Sequence, residues 1–375
     1  MNKTAKNLIY LLTCAVNSIT PDTEKVKAMD LEQLYRLAKA HTLRAAVFIV
    51  LRSAGVQDSN FHQAYNKAVR KNVMLDVERT AIFERFEQQG IWYMPLKGSI
   101  LKELYPENGM REMADNDVLY DSTRQTEVKT IMLSRGYSAE SVGKSHHDVY
   151  MKPPVLNYEL HTKLFGATSD FYAYYENPKR LMKPDEGGKY GFHFSDEDFY
   201  VYMLAHEYKH YSAGGTGLRS LLDCYVFLRN KGNSLDWAYI NEQTEQLNIA
   251  GFEREQRELA EKVFSSVKFP ELTEREQELL DYYLTSCTYG TKTRSAENTV
   301  KKHYAKSHSK SKFSFIWARL FPDTEFMKQY YSFFYRHKLL LPVGYVWRWC
   351  KGIATNRKKL QAEMRALRKY DNKKV

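Results

Sequence analysis

No stretch of the chain approaches the roughly 18 consecutive apolar residues that a membrane-spanning helix needs, so an integral helical membrane protein is excluded. Cysteine is sparse. Cys14, Cys224, Cys287 and Cys350 are far apart and form no C-x-x-C pair. That argues against a disulfide framework or a cysteine zinc site, and for core thiols in a reduced, cytoplasmic protein. The N-terminal "NKTAKNLIYLLTC" lacks the length of a signal core, and Thr13 does not suit a lipoprotein cleavage box before Cys14. Leu8, Leu11, Leu12, Ala15, Val16 and Ile19 follow helical spacing instead, as in a docked amphipathic helix. No repeat at solenoid periods is visible. Disorder is excluded by 43% hydrophobic and 14% aromatic content over 375 residues, enough for two or three domains.

The charge is uneven. Of the formal +11, residues 291–375 hold 21 Lys or Arg against 5 Asp or Glu, a net +16, which leaves −5 on the rest. An anionic partner for that segment is expected.

Residues 1–90 read as helices, including "LEQLYRLAKAHTLRAAVFIVLRSAG" and "HQAYNKAVRKNVMLDVERTAIFERFEQQG", each closed by Gly. From residue 91 the texture changes. "IWYMPL" runs into Lys97-Gly98-Ser99, and "ILKELY" resumes a helix. "DNDVLYD" is a strand candidate, "TRQTEVKTIMLSRGY" a helix closed by Gly136, and "HDVYMK" and "VLNYELH" a hairpin across Pro153-Pro154. Helical spacing returns from 196 to 287, and 288–312, polar and Ser-rich, reads as an exposed loop. The expected organisation is an N-terminal helical region over 1–90, an α+β core over 91–195, a helical domain over 196–287, and a basic loop with a helical tail over 288–375.

The core has the parts needed to move a nucleotide. Asp115 and Asp117, two residues apart on a predicted strand, present both carboxylates to one face. Carboxylates held that closely call for a cation, and Mg²⁺ takes one or two of them together with phosphate oxygens. Glu159 in "NYELH" supplies a third; three carboxylates can hold two ions, one at the incoming hydroxyl and one at the leaving pyrophosphate. Gly98 and Ser99, at a strand-to-helix turn, would bring backbone N–H groups to a triphosphate.

Gly-Ser after a strand, D-x-D on the next and a later strand carboxylate resemble the DNA polymerase β-like nucleotidyltransferase superfamily. More closely, "LKGSILKELYPENGMREMADNDVLY", the "ELH" strand and the later H…KH…G-x-G-L-R…LLD pattern resemble its bacterial uncharacterised nucleotidyltransferase family, over about residues 90–230. The resemblance implies an α+β fold, with a small mixed-sheet polymerase β-like core flanked by N- and C-terminal helical regions. It implies Mg²⁺ (or Mn²⁺) on Asp115, Asp117 and Glu159, with Glu159 completing the metal site or taking the acceptor's proton. Gly98 and Ser99 would meet the β/γ-phosphates, and Lys97 or Arg111 would supply positive charge. Lys209 and Arg219 would reach the phosphates from the second domain. The implied reaction is attack of an acceptor hydroxyl on the α-phosphate of an NTP, releasing pyrophosphate. Many superfamily members carry Asp where this chain has Glu159.

Plainer readings stand beside these. Arg111 pairs with a nearby acid; His206, Lys209, His210, Arg219 and Asp223 pack successive helices around a buried ion pair; His161 is structural, and His146-His147 precede a strand within reach of the site. His206-Glu207-Tyr208-Lys209-His210 fits the H-E-x-x-H of zinc peptidases. The extended form wants Gly at 213 and His at 216, where this chain has Ala213 and Thr216, and the form with a distant glutamate borrows Glu242 only partially. The last alternative lies in 291–375, where "LLLPVGYVWRW" among Lys and Arg reads as a surface for nucleic acid or an anionic membrane, beside a nucleotide site without turnover.

Overall fold

The computed structural model describes residues 1–306, 311–355 and 357–372. The chain separates into two compact units, Met1–Lys209 with Gly217–Thr288, and His210–Thr216 with Tyr289–Val375.

The first unit opens with α1 (Lys3–Asn17), α2 (Thr23–Lys27), α3 (Leu31–Ala40), α4 (Arg44–Ser53) and α5 (Ser59–Gln89). α1 is buried all round from Leu8 to Val16, with Ile9, Tyr10, Thr13 and Cys14 enclosed as well as the expected Leu8, Leu11, Leu12, Ala15 and Val16. It is a core helix rather than a one-sided amphipathic one; Ile19 lies beyond its end and is exposed. The stretch that reads as one helix from Leu31 is two, because Thr42 takes a left-handed φ of 53° and breaks it. Gly90, at φ 67°, closes α5.

A five-stranded mixed sheet follows, built from β1 (Tyr93–Pro95), β2 (Asn116–Tyr120), β3 (Ser138–Ser141), β4 (His147–Lys152) and β5 (Leu156–His161). The four-residue helix α6 (Gly98–Leu101) follows β1, and α7 (Gln125–Ser134) links β2 to β3. The spatial order is β1-β2-β5-β4-β3, with only the β2–β5 pair parallel. Strand alternation splits the sheet into two faces. Val118, Tyr120, Tyr150, Tyr158 and Leu160 meet Leu75, Ile82 and Phe86 of α5 and Val128, Ile131 and Met132 of α7 in one core. Asn116 fastens β2 to that layer, donating to the Leu75 carbonyl at 2.9 Å and accepting from Arg79 at 3.1 Å. The other face carries the polar residues. The fold is thus α+β, a small mixed sheet between helical regions.

A two-stranded ribbon, β6 (Met182–Pro184) with β7 (Phe192–Phe194), leads into α8 (Asp196–Tyr211), α9 (Leu218–Lys231), α10 (Trp237–Gln246), α11 (Ala250–Phe264) and α12 (Glu274–Ser286). The second unit holds α13 (Lys292–Lys306), α14 (Lys312–Leu320), α15 (Thr324–Tyr330), α16 (Ser332–Arg336), α17 (Leu341–Thr355) and α18 (Arg357–Asn372). Most of the segment read as a loop is therefore helical; its residues 307–310 lie outside the described residues. Ala296, Val300 and Tyr304 recur every fourth residue along α13 and bury against Phe315, Ala366 and Leu367. Cys14 and Cys224 are buried as expected of core thiols, whereas Cys350 is exposed. No helix among the described residues is long and apolar enough to cross a membrane.

Candidate active site

Sheet register assembles the site. Asp117 on β2 lies directly opposite Glu159 on the parallel β5, and His161, two residues on, lies opposite His147 of β4. Paired residues share a face, so these four side chains stand together on the side turned away from α5 and α7. Asp115 sits one residue before β2 rather than on it.

Lys97 ends the run after β1 in a left-handed backbone, φ 52°, which a non-glycine residue adopts at a cost of about 1–3 kcal/mol. From there its ammonium reaches Asp117 Oδ1 at 2.6 Å. His161 Nε2 lies 2.8 Å from the same oxygen. The two groups saturate one carboxylate oxygen.

The electrostatics divide the acids. Burial alone would raise Asp117, but the Lys97 charge and the His161 hydrogen bond outweigh it and hold the carboxyl well below its usual range. Burial, then the negative charges of Asp117 and Glu159, push Asp115 up to about 7. The Lys97 and Arg219 charges pull it down but are outweighed. Burial followed by the Lys97 charge lowers His161 to about 4, so it is a neutral imidazole. An acceptor-only carboxylate requires that Nε2 carry the proton, leaving Nδ1 with a lone pair. Glu159 is looser: its Oε2 is 3.9 Å from His161 Nε2 and 4.0 Å from His147 Nε2.

Among the described residues two groupings are spaced to hold a metal ion, Asp117 with Glu159 and His161, and His146 with His147 and His161. Residues 27–265, more than half of the chain, match the family described as uncharacterised nucleotidyltransferase. The chain belongs to that family. A solved nucleotidyltransferase-like antigenic protein from Paracoccidioides brasiliensis is similar at a TM-score of 0.33 and 13% identity, covering 56% of this chain and 96% of that one. No curated protein matches significantly.

Other residues of this nucleotidyltransferase-family chain take varied places. Gly98 opens α6, and a Cβ there would stand 2.6 Å from Arg111 Nη1 and 2.9 Å from Met113 Sδ. A side chain in its place would have to displace the tips of Arg111 and Met113. Ser99 spends its hydroxyl on the Leu96 carbonyl at 2.9 Å. Arg111 makes the buried pair of the plainer reading: Nε and Nη2 meet the Asp223 oxygens at 2.8 and 2.9 Å, and Tyr105 donates to the same acid at 2.7 Å. Arg219 Nη1 donates to Thr42 Oγ1 at 2.9 Å, and its charge lowers Asp115. Lys209 is lowered by burial, then by the Lys97 charge, while Glu159 and Asp117 pull the other way.

Sequence reasoning missed Lys71, whose ammonium donates to the Ala114 carbonyl at 2.6 Å and whose charge is felt at Asp115. It missed Tyr202 of α8 as well. That residue is fully buried, and its hydroxyl is influenced by Lys97, Asp117 and Glu159. His161, structural on the plainer reading, belongs to the site, and its spacing from Glu159 already puts both on one face.

In the HEYKH stretch, Glu207 is buried. Its carboxylate accepts from Gln256 at 2.5 Å and Tyr283 at 3.1 Å. A peptidase base must reach a substrate-bound water, and this one is enclosed in the packing of α8, α11 and α12. Neither metal-capable grouping includes His206 or His210.

Proposed function

We propose that the chain transfers a nucleotidyl group from an NTP to a hydroxyl-bearing acceptor, releasing pyrophosphate, with Mg²⁺ or Mn²⁺ held by Asp115, Asp117 and Glu159. The supporting observation is Asp115. An acid pushed up to about 7 beside two further carboxylates is a site short of positive charge. Asp117 and Glu159 are spaced to share an ion, a grouping that includes His161 but not Asp115. With Asp115 added, the three acids would offer the oxygen donors that suit a hard divalent ion. Such an ion, when bound, supplies charge to the phosphates and to the attacking oxygen.

The chain's own residues do the rest. Lys97 brings an ammonium to the end of the strand–helix turn, where Gly98 and Ser99 form the floor for the triphosphate. Arg111 acts from beneath, as a strut under Gly98. Lys209 and Arg219 add positive potential around the carboxylates. Glu159, the least constrained of the three acids, would complete the metal site or take the proton of the acceptor hydroxyl.

Since the acceptor is not identified, binding is the direct test. Thermal unfolding with each NTP, with and without Mg²⁺, should show a Mg²⁺-dependent rise for one nucleotide or more. Saturation at 100 times Kd stabilises by about 2.7 kcal/mol. Asp117→Asn should abolish the rise. No response to any NTP would overturn the proposal.

A second reading concerns the basic unit. Val343, Val346 and Trp347 form an exposed stripe on α17, and Leu339 just before it is 95% exposed. An apolar stripe among Lys and Arg favours an anionic lipid surface over a phosphate backbone. Sedimentation with phosphatidylserine vesicles at physiological salt should carry the protein down, and Trp347→Glu should release it. A full-length chain that stays in the supernatant refutes this reading.

A further inference from the structure

Beside the carboxylates the same sheet face carries three imidazoles. One ring nitrogen from each of His146, His147 and His161 lies within 4.8 Å of the others. His146 Nε2 is 3.4 Å from His147 Nδ1. Bonds of about 2.0–2.1 Å in a tetrahedral zinc site put neighbouring ligand atoms about 3.3–3.4 Å apart. That pair alone could be a hydrogen bond between two rings. The third ring argues for more.

His161 is 2% exposed and commits Nε2–H to Asp117, yet its Nδ1 is buried with no hydrogen-bond partner. A buried acceptor left unsatisfied is costly, and its lone pair is available to a water or to a Lewis acid. His147 repeats the arrangement less tightly: Nδ1 faces His146, while Nε2 looks toward Glu159 at 4.0 Å. In each of these two rings one nitrogen stands beside a carboxylate and the other is left over, facing His146 in His147 and without a hydrogen-bond partner in His161. That disposition suits an outer carboxylate orienting a metal-bound histidine.

The frame is fixed. His147 and His161 are cross-strand partners. The His146 carbonyl accepts from the Thr162 and Lys163 amides at 2.9 and 3.2 Å. Gly166 leaves room for the His146 ring, whose Nδ1 is 3.4 Å from where a Cβ would stand.

We propose that His146, His147 and His161 bind one transition-metal ion of the zinc type, at a site separate from the carboxylate site and sharing Asp117 and Glu159 with it as outer partners. Imidazoles select zinc and its neighbours, whereas Mg²⁺ prefers oxygen. The one face thus sorts two classes of cation by donor atom. Three protein ligands leave a fourth position for water or substrate. The ion would lock the His161 tautomer and, through Nε2–H, the orientation of Asp117.

The test uses the full chain, stripped with a chelator, dialysed and titrated calorimetrically with Zn²⁺ alone. One Zn²⁺ per chain is expected, with at least tenfold weaker binding in His146→Ala and in His147→Ala, and unchanged binding in Asp115→Asn and His206→Ala. His147 is partly exposed, so its variant should fold, as circular dichroism would verify. Co²⁺ in place of Zn²⁺ should give visible absorption bands that disappear in His147→Ala. Absence of stoichiometric Zn²⁺, its retention in both His146→Ala and His147→Ala, or its loss in His206→Ala would overturn the proposal.

Discussion

Replacing Glu207 by glutamine should make the protein more stable, and increasingly so as pH rises. Burial lifts the Glu207 carboxyl from its ordinary 4.5 to about 8, against the hydrogen bonds from Gln256 and Tyr283 that lower it. Between those two pH values the unfolded chain releases the proton and the folded chain keeps it. The native state then binds more protons, so stability falls as pH climbs through this window and levels off above about 8. At about 1.4 kcal/mol per unit of pH, wild type loses about 3 kcal/mol between about pH 5.5 and pH 8 through this one group. Glutamine has no proton to lose. It also fits: Gln256 Oε1 is buried without a partner, and turning that amide over lets it accept from a protonated Glu207 or from the amide that Glu207→Gln introduces. Urea unfolding of both proteins, followed by circular dichroism at about pH 5.5 and pH 9, measures the difference, in which all other titrations cancel. The advantage of Glu207→Gln over wild type should be about 3 kcal/mol larger at the higher pH than at the lower. A difference that does not change with pH, or a variant equally weakened at both, refutes the reasoning.

Two further substitutions probe the support beneath the turn. Arg111→Ala takes the guanidinium from a buried Asp223, leaving the Tyr105 hydroxyl as a remaining donor, and should cost about 3–5 kcal/mol in denaturant unfolding. The double variant with Asp223→Ala should recover part of that loss; no recovery would show that the two residues do not act as a pair. Gly98→Ala drives a methyl to 2.6 Å from a guanidinium that Asp223 pins in place, so about 1–3 kcal/mol of stability should go, together with the Mg²⁺-dependent nucleotide response. Retention of both in a thermal-shift assay would show that the turn tolerates a side chain.

The local parts of the site are legible in the sequence, and their assembly is not. Asp115 and Asp117 stand out through period-two spacing, and Lys97-Gly98-Ser99 through turn chemistry. Nothing local says that Asp117 and Glu159 face one another. That follows from the single parallel pairing in the sheet, which also brings His161 to Asp117 across 44 positions. Arg111 and Asp223 meet across 112. For each, residue chemistry indicates the kind of partner without saying which residue it is. β3 has no apolar alternation to betray it, three of its four residues being exposed. In α13 the polar composition masks a real period, Ala296, Val300 and Tyr304, some of whose packing partners lie about sixty residues further on. The reading of one helix from Leu31 to Ser53 fails on Thr42, since no sequence rule places a threonine in left-handed backbone.

The oxygen of Asp117 that Lys97 and His161 share has a consequence for the order of events. At rest the acid already has a counter-ion, and it is part of the chain. A free divalent cation competing for that oxygen would strand the Lys97 ammonium in a low-dielectric pocket with its partner taken. A cation arriving with a triphosphate brings anions to receive that ammonium. On the proposed function, affinity for the metal and affinity for the nucleotide would be reciprocal, each raising the other by the same factor. Lys97 would act as a resident stopper, keeping the carboxylates unresponsive to loose divalent ions until a nucleotide draws it out.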